Sequence, residues 1–195
     1  MNIKTLIGVG VLILLIIFGI NSYNNLVEKS ETVNQAWAQV ENQYQRRADL
    51  IPNLVNTVKG AADFEQETLT EVIEARSKAT SVQINASDLN DPQKLQQFQQ
   101  AQEQLSGALS RLLVTVERYP ELKANQNFRD LQVQLEGTEN RIATERMRFN
   151  QAVRSYNVAI TRFPGNLFAS LFGFENRAFF EAEEGAEQAP EVNFD

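Results

Sequence analysis

Residues 5–20, TLIGVGVLILLIIFGI, form an almost unbroken apolar run that leads straight into a heptad-patterned, water-compatible chain. No soluble core needs so long a stretch without a polar face. With Asn21-Ser22-Tyr23 at its edge, the run approaches the ~20 residues that a helix needs to cross the hydrocarbon layer of a bilayer. Lys4 and Tyr23 stand where interfacial anchors belong. The predicted membrane anchor comprises Lys4, Thr5, Leu6, Ile7, Val9, Val11, Leu12, Ile13, Leu14, Leu15, Ile16, Ile17, Phe18, Ile20 and Tyr23. A cleavable leader fits less well. Its apolar region runs to roughly 7–15 residues and ends in a small-residue cleavage site, and Asn-Ser-Tyr-Asn-Asn offers none. Without a cysteine the chain cannot be acylated as a lipoprotein.

The 195 residues are enough for one tether and one domain of ordinary size. Three parts are expected: a transmembrane anchor over 1–23, a helical body over 24–164, and a Phe-rich juxtamembrane segment with an acidic tail over 165–195. Zero cysteines exclude thiolate chemistry, and zero histidines remove the Glu-x-x-His spacing on which metal-holding bundles usually rely. No metal or cofactor is expected. The net charge of −7 is concentrated at the end, where seven acidic residues between Glu175 and Asp195 face only Arg177. The rest is nearly neutral, with arginines interleaved among glutamates, which argues against nucleic acid as a partner. The stretch EAEEGAEQAPEVNFD reads as a solvated tail.

Spacing predicts four helices. From Leu26 the seam positions alternate steps of four and three, through Val33, Trp37, Val40, Tyr44, Ile51, Leu54 and Val58, with Ser30 and Arg47 as polar exceptions. Pro52 predicts a kink near Asn53 or a junction of two helices. A second helix is expected from Asp63, with Gln66 completing the cap, to about Ala79, followed by a loop over 81–91. Asp91-Pro92 restarts the chain as cap and first helical residue. The third seam then runs Leu95, Phe98, Gln102, Leu105, Leu109, Leu112, Val116 and Tyr119 before Pro120. In the last helix Phe128, Leu135, Ile142, Phe149, Tyr156 and Phe163 recur every seven residues, with Leu131, Thr138, Glu145, Ala152 and Ala159 between. Asn127 is the expected cap and Pro164-Gly165 the stop. No period-two alternation marks a strand. The predicted fold is all-α, an N-terminal transmembrane helix followed by an elongated antiparallel four-helix bundle.

The outer helices would each span ~50 Å, so the fourth should return its Phe163 end to the membrane that the first leaves at Tyr23. The stretch beyond Phe163 is crowded with Leu167, Phe168, Leu171, Phe172, Phe174, Phe179 and Phe180. These residues form either an interfacial lipid-contacting segment or a cover over the end of the core. The segment lacks the lysines that usually help such a helix reach anionic lipid.

The strings QVENQYQRRADLIPNLVNTVKG (39–60), LSGALSRLLVTVERYPELKANQNFRDLQVQLEGTENRIATERMRFN (105–150) and YNVAITRFPGN (156–166) closely resemble the LemA family, and with the amino-terminal segment the likeness covers nearly the whole chain. The resemblance implies a single-pass bacterial membrane protein with a helical-bundle body and no established biochemical activity. Relatives include one used in magnetosome formation and others encoded near membrane zinc proteases, which points to the cell envelope.

Within these blocks Arg46, Arg47 and Asp49 form a charged knot before Pro52. Arg47 occupies a seam position and needs a carboxylate, with Glu145 and Glu139 as the two candidates. A polar pair that sets helix register is the expected role. Gly107 and Gly137 lie mid-helix, where each costs roughly 0.5–1 kcal/mol relative to alanine. Close approach of another helix or another subunit would explain them.

Lys4 and the free amino terminus precede the apolar run, so the positive-inside rule favours an exported body on the bacterial cytoplasmic (inner) membrane. The family resemblance implies the opposite orientation, and the charge pattern is preferred. The expected function is a non-catalytic, membrane-anchored scaffold or adaptor whose partners are the lipid bilayer, copies of itself through helix faces, and envelope proteins such as membrane proteases. A membrane-remodelling or lipid-associating role is the alternative. An enzyme is disfavoured, since no phosphate-binding glycine loop and no nucleophile turn occurs.

Overall fold

In the computed structural model, which describes residues 2–60 and 64–181, the chain is all-helical, with no strand among the described residues. One long helix, α1 (Ile3–Lys59), carries the apolar segment at its amino-terminal end. It is followed by α2 (Gln66–Ser81), a 3-10 turn (Ala86–Asn90), α3 (Pro92–Val116), a short α4 (Pro120–Ala124), α5 (Gln126–Thr161) and α6 (Gly165–Phe172).

The two halves of α1 are solvated differently. Its apolar segment is exposed on every side through Phe18, and burial begins at Leu26. From there the predicted seam is the buried stripe, from Val33 and Trp37 to Leu54 and Val58. Lys29 Nζ donates to Ser155 Oγ at 3.0 Å and Arg47 Nη1 meets Glu139 Oε1 at 2.7 Å, so α5 lies antiparallel along α1. A second antiparallel pair joins α2 and α3, marked by Gln102 Nε2 on the Ala79 carbonyl and by the Arg111–Glu71 ion pair. The apolar interior divides into two clusters. One, near the membrane-competent end, gathers Trp37, Tyr44, Phe98, Phe149 and Tyr156. The other gathers aliphatic residues of α1, α2, α3 and α5 around Leu54, Val72, Leu112 and Leu135.

Several boundaries depart from the spacing argument. The expected cap Asp63 lies outside the described residues, and α2 opens after Glu65. The loop after α2 contains the 3-10 turn, closed by a capping box between Asn85 and Asp88. Asp91 caps α3 as expected, accepting from Gln93 N and Lys94 N. The cap of α5 is Asn125 and not Asn127, because its side chain reaches the amides of Asn127 and Phe128. Past Phe149 the buried stripe of α5 leaves the strict heptad: Val153 and Ile160 are buried, while Ala152 and Ala159 are only partly covered. A helix of 3.6 residues per turn drifts from a 3.5 repeat, and here the drift moves the seam by one position. Phe163 lies beyond the end of α5 and is 78% exposed.

Pro52 neither ends α1 nor divides it in two. Proline has no amide hydrogen, so the carbonyl four residues back, that of Ala48, loses its helical donor. Arg76 of α2 takes that place, its Nε donating to the Ala48 carbonyl at 2.8 Å. The vacancy in one helix is thereby used as a tie to the next. Arg76→Ala should lower stability by about 1–2 kcal/mol through the stranded carbonyl. In a Pro52→Ala background the restored amide supplies the missing donor, and the same substitution should cost about 1 kcal/mol less. Urea unfolding of the four variants reads this coupling directly.

Candidate functional site

The charged knot of α1 is split by the helix itself. Arg46 and Asp49 face solvent, Asp49 accepting from Gln45 Nε2 at 2.9 Å, whereas Arg47 points inward and is 1% exposed. Its Nη1 donates to Ser106 Oγ and to Glu139 Oε1, both at 2.7 Å. Its Nη2 donates to the Gln102 carbonyl at 3.2 Å and to Gln102 Oε1 at 2.6 Å. The guanidinium also lies 5.1 Å from the centre of the Tyr44 ring, whose hydroxyl burial holds above its ordinary pKa. Of the two carboxylates considered for Arg47, Glu139 is the partner. Glu145 instead pairs with Arg148, one turn on along α5. One buried cation thus joins α1, α3 and α5, and through Gln102 it reaches the end of α2. Such a fork fixes rotation and height at once, as a planar guanidinium can and an aliphatic side chain cannot.

A second polar constellation seats the segment after α6, and sequence spacing gives no account of it. Residues 174–181 run as an extended strap back along the body. Its backbone groups are met by side-chain amides, in both directions at each of three places. Asn157 donates to the Arg177 carbonyl and accepts from its N–H, both at 2.9 Å. Asn150 does the same at Phe180, at 3.0 and 2.9 Å. Gln99 of α3 pairs with Glu181 at 3.2 and 3.3 Å. The Ala178 amide adds a bond to the Leu89 carbonyl at 2.8 Å. An extended chain without a strand partner would otherwise leave these groups unpaired. Phe180, 4% exposed, stacks on Trp37 and meets Phe149 edge-on, with Arg146 over its ring at 4.8 Å. Arg177 donates to the Ala86 carbonyl at 2.6 Å and to Ser30 Oγ at 3.4 Å. Both polar interruptions of the α1 seam, Ser30 and Arg47, therefore receive long-range polar contacts.

The Phe-rich residues do not act as one group. Phe180 fills the core, and Phe168 lies partly buried against Gly19, where an added Cβ would be 3.5 Å from its ring. Phe172 and Phe174 meet the Tyr23 ring at 4.8 and 5.9 Å. Leu167, Leu171 and Phe172 keep most of their side chains exposed, and Phe179 is partly so. Helix α6 thus packs beside the last turns of the apolar segment. Gly165 permits the tight turn from α5 into α6, because a Cβ there would fall 2.0 Å from the Ala159 carbonyl.

Gly107 and Gly137 are not explained by crowding among the described residues. Among the described residues, nothing lies within 4 Å of a Cβ placed on Gly137, and only the tip of Arg111 does so at Gly107. Gly107 lines an open groove of about 630 Å³ between α2 and α3, with Glu71, Glu74, Glu103, Lys78 and Arg111 along its walls. Among the described residues, no group of three or more acidic side chains is placed to hold a metal ion.

The sequence profile of the LemA family matches residues 36–194. Magnetosome protein MamQ 2 of Paramagnetospirillum magneticum is 27% identical over 175 residues, covering 82% of this chain and 64% of its own length. Magnetosome protein MamQ of Magnetospirillum gryphiswaldense is 37% identical over a shorter stretch of 73 residues, 37% of this chain and 27% of that protein. Protein LemA of Metamycoplasma hominis is 24% identical over 161 residues, covering 83% of this chain and 69% of its own length. The chain therefore spans about 64% of the first of these magnetosome relatives.

The burial asymmetry of the Arg47–Glu139 pair predicts unequal losses. Glu139 keeps 41% of its side chain exposed and can hydrate when alone, whereas Arg47 cannot. Arg47→Met should cost about 1–2 kcal/mol through its lost hydrogen bonds. Glu139→Ala, which leaves a buried cation without counter-charge, should cost about 3 kcal/mol or more. Chemical denaturation of the two variants at neutral pH checks the order.

Proposed function

The chain belongs to the LemA family, and on that premise we propose that it is a non-catalytic, single-pass membrane-anchored scaffold or adaptor of the bacterial cell envelope, its body an elongated antiparallel four-helix bundle. The observation that carries this reading is the continuity of α1. A segment that could span a bilayer, exposed on all sides through Phe18, passes without a break into the buried seam of the body. A load or a partner held by the body would be fixed in height and orientation by the same helix that enters the lipid. The cytoplasmic membrane, with the body on the exported side, is the location that the amino-terminal charge favours. The polar constellations support a structural use of charge. Each guanidinium and amide in them meets a group of the chain itself, and neither leaves an acid and a base converging on an open cleft. Envelope proteins, including membrane proteases, and further copies of the chain are the proposed partners.

Lipid association is a second reading of the same molecule, favoured by the position of α6. Phe168 lies beside Gly19, which is within the apolar run, so α6 sits at the depth where that run would leave the hydrocarbon layer. Its exposed Leu167, Leu171 and Phe172 would then meet acyl chains and headgroups.

Photo-crosslinking in native membranes separates these roles with probes at different heights. A photoreactive residue at Val114 or Val133, both about 70% exposed on the body, should yield protein adducts. One at Leu171 should yield phospholipid adducts. Absence of protein adducts from the body, together with a small molecule retained by the purified chain, would replace the scaffold by an enzyme. Protein adducts alone at Leu171 would remove the lipid reading.

A further inference from the structure

Helix α6 keeps to one level of α1. A Cβ built on Gly165 would lie 3.8 Å from the Leu26 side chain, and one built on Gly19 would lie 3.5 Å from the Phe168 ring. The Phe172 and Tyr23 rings are 4.8 Å apart. Residues 19–26 of α1 span ~10 Å, so α6 occupies a slab about as thick as the boundary between headgroups and acyl chains. Its inner side is used within the chain, where Ala169 is buried and Phe168 half-buried. Its outer side is open. Phe163, in the turn that leads into the helix, and Leu167 and Leu171 on successive turns are 78, 59 and 73% exposed.

Two further features decide what kind of lipid surface suits this helix. The first is charge. No Asp, Glu, Lys or Arg occurs between Thr5 and Val27 or between Phe163 and Phe174. The charged residues that bound these stretches on the body side, Glu28, Lys29, Arg162 and Glu175, are two of each sign. A segment that seeks anionic lipid does so through clustered lysine and arginine, and none is placed here for that purpose. What remains is apolar area, which enters a bilayer where loosely packed headgroups leave hydrocarbon uncovered. The second feature is shape. Through Phe18 α1 is exposed on every side and stands alone, a single helix ~10–12 Å across. At the level of α6 two helices lie side by side. The chain therefore takes up more area in the leaflet from which the body emerges than in the opposite one.

We propose that α6 is an interfacial wedge that reads how tightly lipids are packed and not what charge they carry, and that it draws the anchored chain to the convex face of strongly curved membrane. Bending stretches the headgroup region of the convex leaflet, which opens room for the added helix and uncovers the hydrocarbon that Phe163, Leu167 and Leu171 match. This inference rests on the proposed anchoring and on lipid contact by α6, and it specifies the property of the lipid surface that is recognised.

The absence of cysteine allows a single label. A full-length Asn42→Cys chain, exposed at that position of the body, is reconstituted into giant phosphatidylcholine vesicles and reacted from outside with a membrane-impermeant dye, so that only copies with the body outward are seen. A tube ~50 nm wide drawn from such a vesicle should hold the chain at about threefold or more its density on the flat membrane, relative to a lipid dye. Phosphatidylglycerol added to the vesicles should leave that ratio unchanged. Replacing Phe163, Leu167 and Leu171 together by serine should bring it to about one, since these side chains carry the exposed apolar area. If that variant fails to fold, Leu171→Ser alone, at the most exposed large apolar residue of the helix, should remove about half of the enrichment. In parallel, an environment-sensitive dye on Leu171→Cys should report an apolar surrounding. An apolar signal at 171 with equal densities on tube and vesicle would overturn the wedge and leave lipid contact and anchoring standing. Enrichment that survives the serine substitutions would overturn the wedge, because the rest of the chain would then cause it. Enrichment that appears only with phosphatidylglycerol would overturn the reading of packing in favour of charge. An aqueous signal at 171 would overturn lipid contact and the wedge together, and chains that fail to float with the vesicles would overturn anchoring as well.

Discussion

The hydrogen-bond ladder of α1 is the constraint on which everything else depends. In a bilayer each backbone amide and carbonyl must be satisfied within its own segment, which a helix does and an irregular chain does not. The same ladder continues into the body, so no flexible linker separates the exposed apolar half from the packed half. The one place where the ladder must fail, the Ala48 carbonyl opposite Pro52, is closed by Arg76 from α2. A potential hinge becomes a cross-tie, and α1 can serve as the spine against which α5 packs in the opposite direction.

Two kinds of polar contact then set the register around that spine. Arg47 is a deep fork whose four hydrogen bonds span α1, α3 and α5. Its burial is supportable only because a carboxylate and three neutral acceptors meet it together. The strap uses shallower chemistry. Side-chain amides spaced seven residues apart on α5, Asn150 and Asn157, imitate the edge of a strand, and Phe180 anchors the segment by filling the aromatic cluster around Trp37. The chain that leaves α5 near the apolar segment is thereby led back toward the middle of the body, where Glu181 pairs with Gln99. The acidic stretch 182–195 lies outside the described residues.

Much of this organisation is legible in the residues. Repeated seven-residue spacing locates the buried stripes of α1, α3 and α5, and Asp91-Pro92 marks the start of α3, because apolar periodicity and capping are local. The partners of polar residues are less legible. Ser30 and Arg47 stand out as interruptions of an apolar seam, yet nothing local tells which distant group meets them. Pro52 reads as a kink or a junction of two helices because the donor that meets the Ala48 carbonyl lies on another helix. The strap escapes a reading by spacing because an extended segment held by side-chain amides has no periodicity of its own. The seven-residue spacing of Asn150 and Asn157 is the trace that its amide seat leaves in the sequence, beside the phenylalanines that suggest a cover over the core. The glycines at 107 and 137 have no contact among the described residues that explains them.

If α1 is one continuous rod from the bilayer into the body, two labels placed along it must keep a helical separation. Nitroxides at Leu14 and Asn42, introduced as the only cysteines of the full-length chain in lipid nanodiscs, should report a narrow distance distribution centred near ~42 Å by pulsed electron paramagnetic resonance. A broad distribution, or one centred well below that value, would show a joint between anchor and body and would contradict the account.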